Sequence, residues 1–208
     1  MLITLIGDSI FDNAPYTDGG PAVIDHLRKF VPIDWHCDLK AIDGSTTRDL
    51  QAQLATVLPG TTNLCLSIGG NDLIEQFDLL DTPVQSSAEA LLLISEASLE
   101  FRKSYRRCLQ DCMTMGLPLV VCTIYNCNFP TVAQQRTVEV ALSVFNSEII
   151  TAALDYGLGV IELRRVCTEP EDYANPIEPS VAGGRKIAQA IARSVLNTKP
   201  VAKTYIEA

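Results

Sequence analysis

Leu2-Ile3-Thr4-Leu5-Ile6-Gly7-Asp8-Ser9-Ile10 is the stretch that decides the fold. Five residues rich in leucine and isoleucine make a strand apolar on both faces, the signature of a parallel sheet covered on each side. Gly-Asp-Ser then ends the strand with a turn that can lift a hydroxyl above the sheet. Outward from this segment the pattern repeats. Apolar strand runs are expected at Leu2–Ile6, Ile33–Leu39, Asn63–Ile68, Leu119–Ile124 and Gly159–Leu163. Helices are expected at Pro21–Phe30, Thr46–Val57, Ser87–Met115 with a break near Ser95–Ser98, Val132–Tyr156, and about Ala182–Leu196. The last of these repeats Ile187, Ile191 and Val195 at helical spacing. Five strands alternating with helices give a doubly wound α/β domain with a five-stranded parallel sheet, whose ligands bind beyond the carboxyl ends of the strands.

The chain has 208 residues, 47% of them hydrophobic, enough for one sizeable core. We expect a single domain over residues 1–198 and a tail over 199–208, on which Tyr205 and Ile206 offer docking side chains. Acidic residues outnumber basic ones by 25 to 16, a formal charge of −9. That balance argues against nucleic acid or an anionic membrane as partner, since both attract basic surfaces. No continuous run of about 18 apolar residues suggests a membrane span. Seven cysteines, an odd number without framework spacing, and a strand at the very start point to a reducing, cytoplasmic setting. Cys108 and Cys112 share a helix face, but no further ligands stand at metal spacing, and neither a metal nor another cofactor is expected. The long Ser87–Met115 stretch offers room for a homodimer face. Only two histidines occur, His26 in the first helix and His36 within the second strand run, both read as structural.

Chemistry concentrates at the strand ends. Gly7-Asp8-Ser9-Ile10 follows strand one, Asp43-Gly44-Ser45 follows strand two, and Gly69-Gly70-Asn71-Asp72 follows strand three. The N–H groups near Ser9 and Gly44 and the amide of Asn71 would converge at one mouth, as an oxyanion requires. Asp12 and Asn13 follow the Ser9 turn closely, and Tyr125-Asn126 opens a polar, aromatic loop after strand four. All four are candidate substrate contacts. Arg48, Arg164 and Arg165 read as solvated or salt-bridged.

These blocks, with Pro179-Ser180 and Gly183-Gly184 opening the last helix, resemble the GDSL or SGNH hydrolases. The resemblance spans nearly the whole chain. It implies a flavodoxin-like three-layer α/β/α sandwich, a Ser9 nucleophile, and an oxyanion hole from the Ser9 and Gly44 N–H groups and Asn71. It also implies hydrolysis of a small-molecule ester, thioester or acetylated sugar. The departure lies in the fourth block, Asn175-Pro176-Ile177-Glu178-Pro179-Ser180. Glu178 stands where the family places its catalytic histidine, and Asn175 where it places the aspartate partner.

Two readings follow from that replacement. In the first, Glu178 is the general base, steadied by the Asn175 amide. A free Glu titrates about two units below a His, a deficit of roughly 3 kcal/mol that burial can recover. In the second, the site has lost turnover and the pocket binds a small acyl or carboxylate ligand. A flavodoxin-like nucleotide binder shares the architecture, but the first loop lacks a phosphate-cradling run of glycines or hydroxyls.

Overall fold

All five strand runs form strands; the first extends one residue beyond its apolar run to Gly7, and the other four are shorter than theirs. The computed structural model describes residues 1–196. The tail at 199–208 and the last two residues of the expected domain lie outside the described residues. The strands are β1 (Leu2–Gly7), β2 (His36–Leu39), β3 (Asn63–Ser67), β4 (Leu119–Cys122) and β5 (Gly159–Ile161). They form one parallel sheet in the order β2-β1-β3-β4-β5. The chain reverses its direction of travel across the sheet at β1, so the crevice beyond the carboxyl ends of β1 and β3 is the expected ligand position.

The helices are α1 (Val23–Phe30), α2 (Leu50–Leu54), α3 (Gly70–Ile74), α4 (Ser87–Met113), α5 (Val132–Asp155) and α6 (Val181–Leu196). Alternate residues of β1 feed two cores. Ile3 and Leu5 pack with Leu27 of α1 and with Ile187 and Ile191 of α6. On the other face, Ile6 and Leu66 pack with Phe101 of α4 and Phe145 of α5. The result is the three-layer sandwich implied by the resemblance.

The differences from expectation have physical causes. Ile33 is fully exposed and β2 opens only at His36, because this edge strand pairs with β1 alone and only from Leu2 onward. His36 therefore begins the strand instead of sitting within it. The expected break at Ser95–Ser98 does not occur. Ser98 Oγ donates to the Ser95 carbonyl at 2.8 Å, which satisfies the hydroxyl inside a continuous helix. The expected Thr46–Val57 helix shrinks to α2, since Thr46 is held by Asp49 and Thr47 by Asp72. Among the described helices, α5 alone has the length and apolarity to cross a membrane. It nevertheless buries Val138, Leu142, Phe145 and Ile149 against the sheet. All seven cysteines are free, and Cys108 and Cys112 share the buried face of α4.

Candidate active site

Ser9 owes its position to Gly7. Gly7 has φ +129, and a Cβ there would lie 1.7 Å from the Ser67 carbonyl oxygen of β3. Only glycine lets β1 and β3 approach so closely at the point where the chain turns. Asp8 N then donates to that same Ser67 oxygen at 3.0 Å, and Asp8 Oδ1 accepts from Ile10 N at 3.1 Å. The turn leaves Ser9 buried, at the carboxyl end of the central strand.

Glu178 arrives from the far end of the sequence on a tight loop. Tyr173 and Pro179 form an antiparallel bridge, and Ala174 N donates to the Glu178 carbonyl at 2.9 Å. Ser9 Oγ donates to Glu178 Oε1 at 3.1 Å. Among the described residues, the other carboxyl oxygen, Oε2, is buried without a hydrogen-bond partner. Burial, opposed by the Ser9 hydrogen bond and reinforced by the charge of Asp43, pushes Glu178 up from 4.5 to about 7. That value sits beside the 6.5 or so of a free histidine.

The role expected of Asn175 needs correction. Among the described residues its side chain makes no hydrogen bond to the Glu178 carboxyl. Asn175 Oδ1 accepts from the backbone N–H groups of Ile177 at 2.9 Å and Glu178 at 3.0 Å. An Asx turn of this kind sets the backbone that carries the carboxyl, and leaves the carboxyl itself without that support.

The second and third strand ends are clasped to the first. Buried Gln53 donates from Nε2 to the Gly7 carbonyl and to Ser45 Oγ, while its Oε1 accepts from Gly7 N at 2.7 Å. Asn71 Nδ2 donates to the Ser45 carbonyl at 2.9 Å, which leaves its second amide hydrogen available. Gly44 has φ +80, and among the described residues the N–H groups of Ser9 and Gly44 have no hydrogen-bond partner. Asp12 Oδ2 accepts from Asp43 N at 3.0 Å, and Tyr16 Oη donates to Asp43 Oδ2 at 2.7 Å, so both residues fasten the Gly44 loop.

Asp12 is therefore a support for that loop and not a lining residue of the pocket beside Ser9. Asn13 has no exposed surface, so the substrate contact expected of it is excluded. Its Oδ1 caps α1 by accepting from Val23 N at 2.8 Å, and its Nδ2 donates to the Pro179 carbonyl at 3.2 Å. Asn13 thus ties the first helix to the loop of Glu178. Tyr125 does line the pocket, and its hydroxyl donates to the Ile177 carbonyl at 2.6 Å. Asn126 does not line it; its carbonyl accepts from the Tyr173 hydroxyl, and Cys127 takes the lining position. Neither histidine enters the site. His26 is buried on α1, and His36 pairs with Leu2 at the amino end of the sheet, opposite Ser9. Arg48 and Arg164 form surface ion pairs with Glu75 and Glu162.

Two supporting residues, Gln53 and Tyr16, had no local signal in the sequence, and Asp8, although inside the Gly7-Asp8-Ser9-Ile10 block, was assigned no role by it. Asp8 is almost fully buried beside Ser9 and lines the same pocket. Burial, opposed by the Ile10 N–H and reinforced by the carboxyls of Glu178 and Asp72, pushes Asp8 up from 3.8 to about 8. Two carboxyls thus share a buried site with Ser9, and at neutral pH Asp8 is largely the protonated one.

A pocket opens from Asp8, Ser9, Asn71 and Glu178 into an apolar space between α3, α4 and α5. A hydroxyl held by a buried carboxylate, with two unpaired backbone N–H groups and a side-chain amide close by in the fold, has the parts that acyl transfer requires.

No curated protein matches the sequence significantly. Solved structures do match in fold. The extracellular lipase from Streptomyces rimosus is 17% identical with a TM-score of 0.68, covering 93% of this chain and 99% of that one. The lipase/acylhydrolase from Enterococcus faecalis is 18% identical with a TM-score of 0.68, covering 93% and 94%. An acetylxylan esterase from Geobacillus stearothermophilus is 19% identical with a TM-score of 0.64, covering 93% of each chain. The GDSL-like lipase/acylhydrolase family model matches residues 5–186, a span that includes both Ser9 and Glu178. The chain belongs to the GDSL-like lipase/acylhydrolase family.

Proposed function

We propose that the chain is a carboxylic ester hydrolase in which Ser9 is the nucleophile and Glu178 the general base. The observation that carries this reading is the buried hydrogen bond from Ser9 Oγ to Glu178 Oε1 at 3.1 Å. Glu178 takes the hydroxyl proton as Oγ attacks the ester carbonyl carbon. The oxyanion that forms is held by the N–H groups of Ser9 and Gly44 and the free amide hydrogen of Asn71. Protonated Glu178 then gives its proton to the departing alkoxide, leaving an acyl group on Ser9. In the second half a water loses a proton to Glu178 and attacks the acyl carbon; the Oγ–acyl bond breaks as Glu178 returns that proton to Oγ, releasing the acid and restoring Ser9.

Base strength is the difficulty with a carboxylate in this role, and burial answers it. At about 7, Glu178 matches a histidine as a proton acceptor and is still half ionised near neutrality. Asn175 serves by fixing the loop backbone.

Labelling with a fluorophosphonate tests the proposal, because it reads nucleophile activation without knowledge of the substrate. We expect a covalent adduct on Ser9, absent in Ser9→Ala and slowed at least a hundredfold in Glu178→Gln. No labelling of the unaltered chain between pH 6 and 9 would favour the ligand-binding reading instead. Labelling unchanged in Glu178→Gln would remove Glu178 as base.

A further inference from the structure

The structures similar in fold include one named as a lipase and another named as an acetylxylan esterase, and the site chemistry alone does not choose between the two kinds of ester. The shape beside Ser9 does. The pocket encloses about 90 Å³ accessible to a water-sized sphere, within an empty space of about 870 Å³ that includes open solvent. Its polar lining is Asp8, Ser9, Asn71 and Glu178, with Gln76 on the wall formed by the segment after α3. Away from them the walls are almost wholly aliphatic and aromatic. Leu73 and Ile74 of α3 and Phe77 just after it form one side. Ala97 of α4 and Leu142 and Phe145 of α5 close the floor, each less than a tenth exposed. A sugar ring would leave its hydroxyls unpaired against such walls, at a cost of about 1–3 kcal/mol for each buried group.

We infer that this space takes the acyl chain of the substrate, and that the chain acts on esters of apolar straight-chain acids of several methylenes in preference to acetyl esters. The assignment rests on Ser9 as nucleophile. The acyl side is favoured over the alcohol side by the order of events. The alcohol leaves first, and the hydrolytic water must approach along the path it vacates. A closed apolar floor cannot deliver that water, whereas it suits a group that stays attached throughout. The substrate alcohol then faces the open side of the site.

Two measurements keep this inference separate from the catalytic one. The first is binding of decanoate to the Ser9→Ala chain by isothermal titration, which needs no turnover. We expect saturable one-to-one binding, weakened at least tenfold by Ile74→Asp, a change on the half-exposed rim that leaves the core intact. The second is kcat/KM for aryl esters from acetyl to octanoyl. We expect a rise of about two- to fourfold per methylene up to hexanoyl, the gain of burying each group. Ala141→Phe, which narrows the same pocket from α5, should cut the hexanoyl-to-acetyl ratio at least tenfold. Should Ala141→Phe fail to fold, Ile74→Asp reads the same ratio. Absence of decanoate binding, or a preference for acetyl over hexanoyl, overturns the inference. Decanoate binding without hydrolysis of any ester upholds the acyl pocket and overturns the catalytic proposal.

Discussion

Replacing Glu178 by glutamine should stabilise the protein in mildly alkaline solution while abolishing its activity. The carboxyl is buried, its Oε2 has no partner among the described residues, and its pKa rises from 4.5 to about 7 on folding. Below about pH 4.5 the group is neutral in both the folded and unfolded chains, and its ionisation costs folding nothing. Between 4.5 and 7 the unfolded chain ionises and the folded chain resists, so stability is lost as pH rises through the folded value. Above 7 the whole penalty is present. At about 1.36 kcal/mol per unit it amounts to about 3 kcal/mol. Water reaching the open side of the pocket screens part of this, so about 1.5 to 3 kcal/mol is expected. For a chain of this size that corresponds to a Tm higher by about 3 to 10 °C in Glu178→Gln at pH 8. At pH 4.5 the two proteins should melt together. Thermal unfolding of both at pH 4.5, 6 and 8 is the assay; the difference removes the titrating groups not coupled to Glu178, while Asp8, relieved of the Glu178 charge, adds to it in the same direction. A difference that stays constant with pH, or one that shrinks as pH rises, refutes the reasoning.

Other outcomes follow from the same structure. The pH profile of kcat/KM should rise to neutrality with one apparent pKa near 7, because only ionised Glu178 accepts the Ser9 proton. Asn71→Ala should lower kcat by about a hundredfold with little change in KM, as loss of one oxyanion donor does. Gly7→Ala should destabilise by at least about 3 kcal/mol, measured by urea unfolding, since the added methyl meets the Ser67 carbonyl at 1.7 Å. Asn13→Ala removes two buried hydrogen bonds and should cost about 2 to 4 kcal/mol in the same measurement, with kcat falling through the loosened Pro179 loop.

The layered fold was legible because its signal is local. Apolar runs such as Leu2–Ile6 and Asn63–Ser67 are buried on both faces, and burial is what such runs record. The signal weakened where a strand lost a neighbour, as at Ile33, where the β-rich composition continues but no partner strand does. Site residues divide the same way. Ser9, Asn71 and Glu178 were visible through blocks of neighbours at fixed offsets. Gln53 was not, because its partners Gly7 and Ser45 lie on two other segments and nothing adjacent to it marks the contact. Asn13 was picked out as a polar residue near the chemistry and Asn175 by its place in the fourth block, and the side chain of each is in fact used by the backbone. A sequence shows that an amide is present and not which hydrogen bonds claim it.

The Ser9–Glu178 hydrogen bond joins residues 169 positions apart. During synthesis Ser9 emerges 169 residues before Glu178, so the pair forms only after the sheet, α4 and α5 have been made. The loop that must close is nearly the whole domain, which makes this contact one of the most entropically demanding in the fold. A nascent or partly unfolded chain consequently exposes an ordinary serine and an ordinary glutamate, neither of them reactive. On the proposed mechanism, hydrolytic activity would therefore report completed folding: it would appear at one step, when Ser9 and Glu178 meet.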